Sequence, residues 1–139
     1  MHYIDYSKEL NLVYARIWGE TSQSETMIIF GCISKNLEIP KEILLISDYR
    51  DAIPNQINTQ QIQDTVDHVN AWISQRFDRL RWAHISATPQ HAVGSTLFEL
   101  FINNSQISFK QFSTLSAALK WIGVDIHALD NLETWLRIE

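Results

Sequence analysis

The chain has 139 residues, a formal net charge of −5 at pH 7, 45% hydrophobic residues and 19% charged residues. This composition is typical of one globular domain and is unlike that of a disordered chain. Because the charge is negative and lysine and arginine form no cluster, the sequence argues against nucleic acid or a polybasic membrane contact as partner.

Cys32 is the only cysteine, so an internal disulfide is excluded, and we expect a buried, unreactive thiol. The segment Met1–Tyr6 has no signal-peptide pattern, and the apolar runs are too short to span a membrane. These features predict a cytoplasmic protein without a membrane span.

Two strands are predicted first, over Tyr3–Tyr6 and Leu12–Trp18. The second strand alternates, with small apolar residues on one face and Tyr14 and Trp18 on the other. On an edge strand these two aromatic side chains would form an exposed interface, as in a homodimer. The alternative is that the C-terminal segment covers them.

The pair Ser22 and Glu25 has capping-box spacing and predicts a helix to about Asn36. The apolar run Ile43–Arg50 follows and is typical of a central strand covered on both faces. Asn58 opens a long helix, and one apolar stripe runs along it through Ile62, Val66, Val69, Ile73 and Phe77.

A strand is predicted over Arg81–Ala87, followed by a helix that begins at Thr88-Pro89. The next strand is Ile107–Phe112, and Ser113 then caps a helix that ends at Gly123. The apolar residues of 126–138 recur at helical spacing and predict a last, extra helix.

This order predicts an α/β fold: one domain over residues 1–139, with about five strands in a mixed, mostly parallel sheet and four to five helices. The first two strands form a hairpin-like pair, which predicts an antiparallel N-terminal edge of the sheet.

Four stretches carry a resemblance to a known family: LNLVYARIWGE, ILLISDYR, TPQHAVGSTLFELF and FKQFSTLSAALKWIGV. With these residues the chain resembles the SpoIIAA-like branch of the STAS/SEC14 (CRAL-TRIO-like) superfamily, from about Tyr3 to Val124. The resemblance implies a small bacterial α/β domain, related to anti-sigma-factor antagonists or to lipid-binding proteins.

Antagonists of that family carry a phosphorylatable serine at the start of the helix after the central strand. The matching loop here, Asp48–Thr59, contains no serine, and Thr59 is the only hydroxyl residue near that helix start. This departure argues against a phospho-switched antagonist, which we keep as an alternative.

Two groups of polar residues follow predicted strands and are candidate ligand-binding residues. Asp48 and Arg50 end the central strand, where an arginine fork holds carboxylate or phosphate groups; alternatively, Asp48 pairs with Arg50 or with backbone amides. Ser86, Thr88 and His91 lie around the next helix start, where free amides favour anions, unless the threonine serves only as a cap.

No histidine pair has zinc-site spacing, and no nucleophile elbow, phosphate loop or dinucleotide fingerprint is present. We therefore expect no metal, no cofactor and no catalytic residue. The sequence favours a non-enzymatic regulatory or ligand-binding module that binds a partner protein or a small apolar or anionic ligand. The alternative is an enzyme of unknown reaction that uses Asp48, Arg50 and His91.

Overall fold

A six-stranded mixed sheet organises the chain. The computed structural model describes residues 1–53, 58–88, 96–102 and 104–139. The strands are β1 (His2–Ser7), β2 (Leu12–Glu20), β3 (Glu42–Ile53), β4 (Arg79–Ile85), β5 (Ile107–Phe112) and β6 (Leu136–Ile138). The helices are α1 (Gln23–Lys35), α2 (Thr59–Arg76), α3 (residues 96–101) and α4 (Leu115–Ile122).

The strand order is β5-β4-β3-β2-β1-β6. Neighbours from β2 to β5 are parallel, whereas β1 is antiparallel to both β2 and β6. The prediction of an α/β fold with a mixed, mostly parallel sheet is therefore confirmed. Two details were wrong: the sheet has a sixth strand, and β1 is not its edge.

The C-terminal segment is not the helix that its apolar spacing predicted. It forms two short 3-10 turns, Ile126–Leu129 and Leu132–Thr134, and then β6. The physical reason lies outside the segment, because β1 has a second row of backbone donors and acceptors with which another strand can pair. Ile138 also becomes buried beside Ile4 when this strand forms.

The long helix α2 is built as its sequence predicts. The Asn58 side chain accepts from the Gln61 amide at 2.8 Å, and the Gln61 side chain accepts from the Asn58 amide at 2.9 Å, which completes a capping box. The whole apolar stripe of this helix is buried. At α1, by contrast, the predicted capping box of Ser22 and Glu25 does not form. The carboxylate of Glu25 instead contacts the Met1 amine and His2, each at 2.9 Å.

The sheet separates two apolar clusters. The larger one lies on the face covered by α1, α2 and α3, and includes Leu45, Trp82 and Ile138. The smaller one lies on the opposite face, against α4 and the C-terminal segment, and includes Tyr14 and Ile46. Among the described helices, none combines the length and apolar character that crossing a bilayer requires.

A bulge in β3 sets which side chains reach each face near the strand's carboxyl end. Arg16 pairs with Asp48 and Trp18 pairs with Asp51, so β3 has one residue more than β2 over this stretch. A bulge shifts the alternation by one residue. Asp51 therefore follows Asp48 onto the face of the smaller cluster.

Candidate functional site

A buried carboxylate, that of Asp48, lies within β3. Asp48 and Arg50 do not end this strand as the sequence predicts, because β3 continues to Ile53 along β2. Asp48 Oδ2 accepts hydrogen bonds from Tyr14 Oη at 2.5 Å and from Arg50 Nη2 at 2.6 Å. Asp48 Oδ1 accepts from the Nε and the backbone amide of Arg50 at 2.9 and 3.1 Å. The side chain of Asp48 is 3% exposed and that of Arg50 is 39% exposed. Asp48 thus pairs with Arg50 as the sequence allowed, through both the guanidinium and the backbone amide of Arg50.

These contacts set the protonation of the three groups. Burial alone would raise the pKa of Asp48, but hydrogen bonds from Arg50 and Tyr14 outweigh it and hold that pKa below its usual value. Burial and the bond to Asp48 raise the pKa of Tyr14 strongly. At neutral pH the cluster therefore contains an ionised aspartate, a neutral tyrosine and a charged arginine.

A second ion pair lies beside this cluster because of the β3 bulge. Arg16 Nη2 on β2 donates to Asp51 Oδ2 at 2.6 Å, and the side chains are 42% and 58% exposed. Hydrogen bonds to Asp51 and to Tyr3 raise the pKa of Arg16. Since both partners are in water, this pair contributes little to stability.

A third ion pair joins β1 to β6 on the same face. Arg137 Nε donates to Asp5 Oδ1 at 2.6 Å, and its guanidinium lies 4.6 Å from the centre of the Tyr3 ring. Tyr3 thus lies between Arg137 and Arg16. We call the surface formed by Arg16, Arg50 and Arg137 the arginine face.

Of the other predicted ligand residues, the structure describes Ser86 and Thr88. Ser86 is buried just after β4, and its amide donates to the Phe112 carbonyl at 3.1 Å. Thr88 is half-buried near the same end of the sheet. His91 lies outside the described residues, as does Pro89, so convergence of these residues with Asp48 remains a prediction.

The two predicted interface residues have different environments. β2 is an internal strand, and Tyr14 is buried in the cluster against which Leu129, Leu132 and Trp135 of the C-terminal segment pack. An exposed patch that includes Tyr14 was therefore wrong, because β1 and the C-terminal segment cover that strand. Trp18 is half-buried with its ring 5.6 Å from that of Tyr3. The homodimer stays a prediction.

The sequence did not predict a polar cluster that lies on the face of the sheet covered by α1, α2 and α3. Ser47 Oγ lies 2.8 Å from His84 Nδ1 and accepts from Trp82 Nε1 at 2.7 Å. The hydroxyls of Tyr49 and Thr26 lie 2.9 Å apart, and burial raises the pKa of Tyr49 to about 12. Strand alternation in the sequence predicts that Ser47 and Tyr49 lie on the opposite face of β3 from Asp48. The sequence does not reveal that His84 is the partner of Ser47, because this contact depends on the β3–β4 register.

No metal centre is suggested by the described residues, which contain no group of three or more ligating side chains. Comparison of the chain with models of known protein families, with characterised proteins and with solved structures finds no match.

Proposed function

We propose that this chain is a non-enzymatic, cytoplasmic regulatory or ligand-binding module of the STAS/SEC14-like kind, which binds a small anionic ligand or an acidic group of a partner protein at the arginine face. The observation that carries the proposal is the set of three partly exposed guanidinium groups, each held in place by an aspartate. Asp48 holds Arg50, Asp51 holds Arg16, and Asp5 holds Arg137.

Each guanidinium has donors left for a ligand. An arginine carries five N–H donors in a rigid fork, and the bonds of Arg50 to Asp48 use Nε and Nη2. Because the aspartates fix these side chains, a ligand would meet a prearranged site and lose little side-chain entropy there. The three aspartates also balance the three arginines, so recognition rests on directed hydrogen bonds rather than on net positive charge.

The protonation states favour binding over acid–base chemistry. A general base works best with a pKa near the operating pH, whereas the pKa of Asp48 is lowered. A general acid needs an accessible proton, whereas the proton of Tyr14 is bonded to Asp48 at 2.5 Å and the pKa of Tyr14 is raised. Neither group suits proton transfer at neutral pH.

Native mass spectrometry of protein purified from cells tests this proposal. We expect a non-covalent ligand or partner whose mass is absent after denaturation and is lost from Arg16→Gln. That substitution spares the buried Asp48, because Arg16 pairs with the exposed Asp51. Arg79→Gln is the matched control, since Arg79 is an exposed arginine that lies outside the arginine face, at the start of β4. A clean mass for the wild-type chain, or equal loss in both variants, contradicts the proposal.

One observation favours an enzyme as the second candidate. Ser47 and His84 form a hydroxyl–imidazole pair across the parallel strands β3 and β4, and such a pair is typical of an activated nucleophile. The burial of Ser47 and its bond from Trp82 favour a structural role instead. Labelling of Ser47 by a fluorophosphonate probe, lost in His84→Ala, would support the enzyme; an unlabelled wild-type chain would exclude this nucleophile.

A further inference from the structure

The outer edge of β1 is occupied by a short piece of the same chain. β6 pairs antiparallel with β1 over three positions: Ile4 with Ile138, Asp5 with Arg137, and Tyr6 with Leu136. On its other side β1 pairs with β2 over its whole length, from His2 to Ser7. Within the described residues, β6 thus covers only the middle of the edge of β1.

This edge is chemically selective. The Asp5 side chain is 2% exposed and is held by Arg137 Nε and Nη2 at 2.6 and 3.4 Å. The ring of Tyr3 supports the same guanidinium. One position further on, Ile138 is buried beside Ile4. An extended strand that fits here needs an arginine opposite Asp5 and an aliphatic residue after it.

The resident strand is short, and the segment before it packs only partly buried residues, such as Leu129 and Leu132, against the smaller cluster. The 3-10 turns that connect α4 to β6 contain no buried residue, and the side chain of Arg137 is 53% exposed. Simple departure of β6 is nevertheless unfavourable, since it would leave the buried carboxylate of Asp5 without its cation. Replacement by another strand that supplies an arginine avoids this loss.

We propose that the outer edge of β1, with Asp5 at its centre, is a docking slot for an extended, arginine-containing strand of a partner protein, and that β6 occupies this slot as an autoinhibitory segment. A partner strand that pairs with β1 at more than the three positions of β6 would gain backbone hydrogen bonds. A second copy of β6 would only exchange like for like. Because Arg137 belongs both to β6 and to the arginine face, displacement of β6 would also remove one guanidinium group from that face.

Peptide binding to the full-length chain tests the slot. The probe is a fluorescein-labelled peptide of residues 131–139, compared with the same peptide carrying Arg137→Gln. The host is the full-length Arg137→Gln variant, in which the resident strand is weakened. We expect the dissociation constant of the arginine peptide for this host to be at least about tenfold lower than that of the glutamine peptide. The reason is that the arginine peptide restores charge-assisted hydrogen bonds to Asp5.

The wild-type chain and a second variant complete the test. The wild-type chain should bind the arginine peptide more weakly than the variant does, since its own β6 competes at high effective concentration. The host with both Asp5→Asn and Arg137→Gln should no longer distinguish the two peptides. Without any substitution in the protein, excess peptide should move the NMR signal of the Ile138 amide to a random-coil position.

Several outcomes would overturn the proposal. Equal affinity of the two peptides for the Arg137→Gln host would show that the edge does not select arginine. Peptide binding that leaves the Ile138 signal of the wild-type chain unchanged would place the peptide elsewhere. A wild-type dimer that the peptide dissociates would assign the slot to exchange of β6 between copies rather than to a partner protein.

Discussion

The buried charge of Asp48 depends on donors from two strands. Tyr14 on β2 and Arg50 on β3 both bond to its carboxylate, and the Arg50 guanidinium is the only full positive charge among these partners. A buried carboxylate without a cation is costly, whereas a pair in water is worth little. Two arginines on one sheet face therefore have different roles in stability.

Replacing Arg50 with alanine should destabilise the fold more than replacing Arg16. Arg50→Ala removes the cation from Asp48 but leaves Tyr14 as a donor, so we expect a loss of about 1–3 kcal/mol in the free energy of unfolding. Arg16→Ala leaves Asp51, which is largely in water, and should cost about 0–1 kcal/mol. Urea denaturation of both variants measures the difference. Equal losses would contradict the structural role of Arg50.

The same cluster predicts how stability depends on pH. Because the pKa of Asp48 is lowered in the folded state, its ionised form stabilises the fold above the unfolded-state pKa of about 3.9. This contribution is lost as the pH falls below that value and through the folded-state pKa. Asp48→Asn should be less stable at pH 7 and show a shallower loss between about pH 4 and 2.

Chemical denaturation at several pH values measures these slopes. Asp51→Asn is the matched control, because Asp51 ends the same bulge but is exposed, and this variant should keep the wild-type slope. An unchanged acid dependence in Asp48→Asn would assign the acid sensitivity to another group.

Sequence alone identified part of this cluster. Asp48 and Arg50 are two residues apart in a predicted strand, so their shared face and their pairing were among the alternatives. Tyr14 lies far away in the chain, and its bond to Asp48 depends on the parallel register of β2 and β3. The bulge that brings Asp51 to Arg16 has no local sequence signal either.

Two glycines show how the backbone conformation of an element decides the effect of a side chain. Gly123 ends α4 with φ of +86°, a left-handed conformation, and it accordingly terminates the helix where the sequence predicts. Gly31 lies within α1, and a Cβ atom added there would meet no heavy atom within 4 Å.

The same substitution should therefore have opposite effects at these two positions. Gly31→Ala should stabilise the fold by about 0.5–1 kcal/mol through better helix propensity. Gly123→Ala should destabilise it by about 1–2 kcal/mol, because alanine is strained in the left-handed region, although space is open there too. Thermal and urea unfolding of both variants would show this, and a shift of equal sign would contradict it.

The helix α2 and the C-terminal segment show why one prediction succeeded and another failed. α2 has local signals that agree, namely a capping box and an unbroken stripe at steps of three and four. The C-terminal residues Ile126, Leu129 and Leu132 recur at steps of three, a spacing that also suits 3-10 turns. Their final structure depends on the edge of β1, which no local pattern reveals.

At the scale of the whole molecule, the contacts are unevenly distributed. β3 and β4 lie inside the sheet and are covered on both faces by the two apolar clusters. The C-terminal segment adds mainly half-buried residues to the smaller cluster, and Ile138 is the one fully buried residue of β6. Segments with few buried contacts open at a lower free energy than the core.

Native-state hydrogen exchange should therefore separate β6 from the central strands. We expect the Ile138 amide to exchange with an opening free energy about 2 kcal/mol or more below that of Ile46, which should open only by global unfolding. Ile138→Ala should lower the first value and leave the second nearly unchanged. Equal values for Ile138 and Ile46 would make β6 part of the cooperative core. A resident strand of that kind would not leave the edge of β1 to a partner while the sheet stays folded.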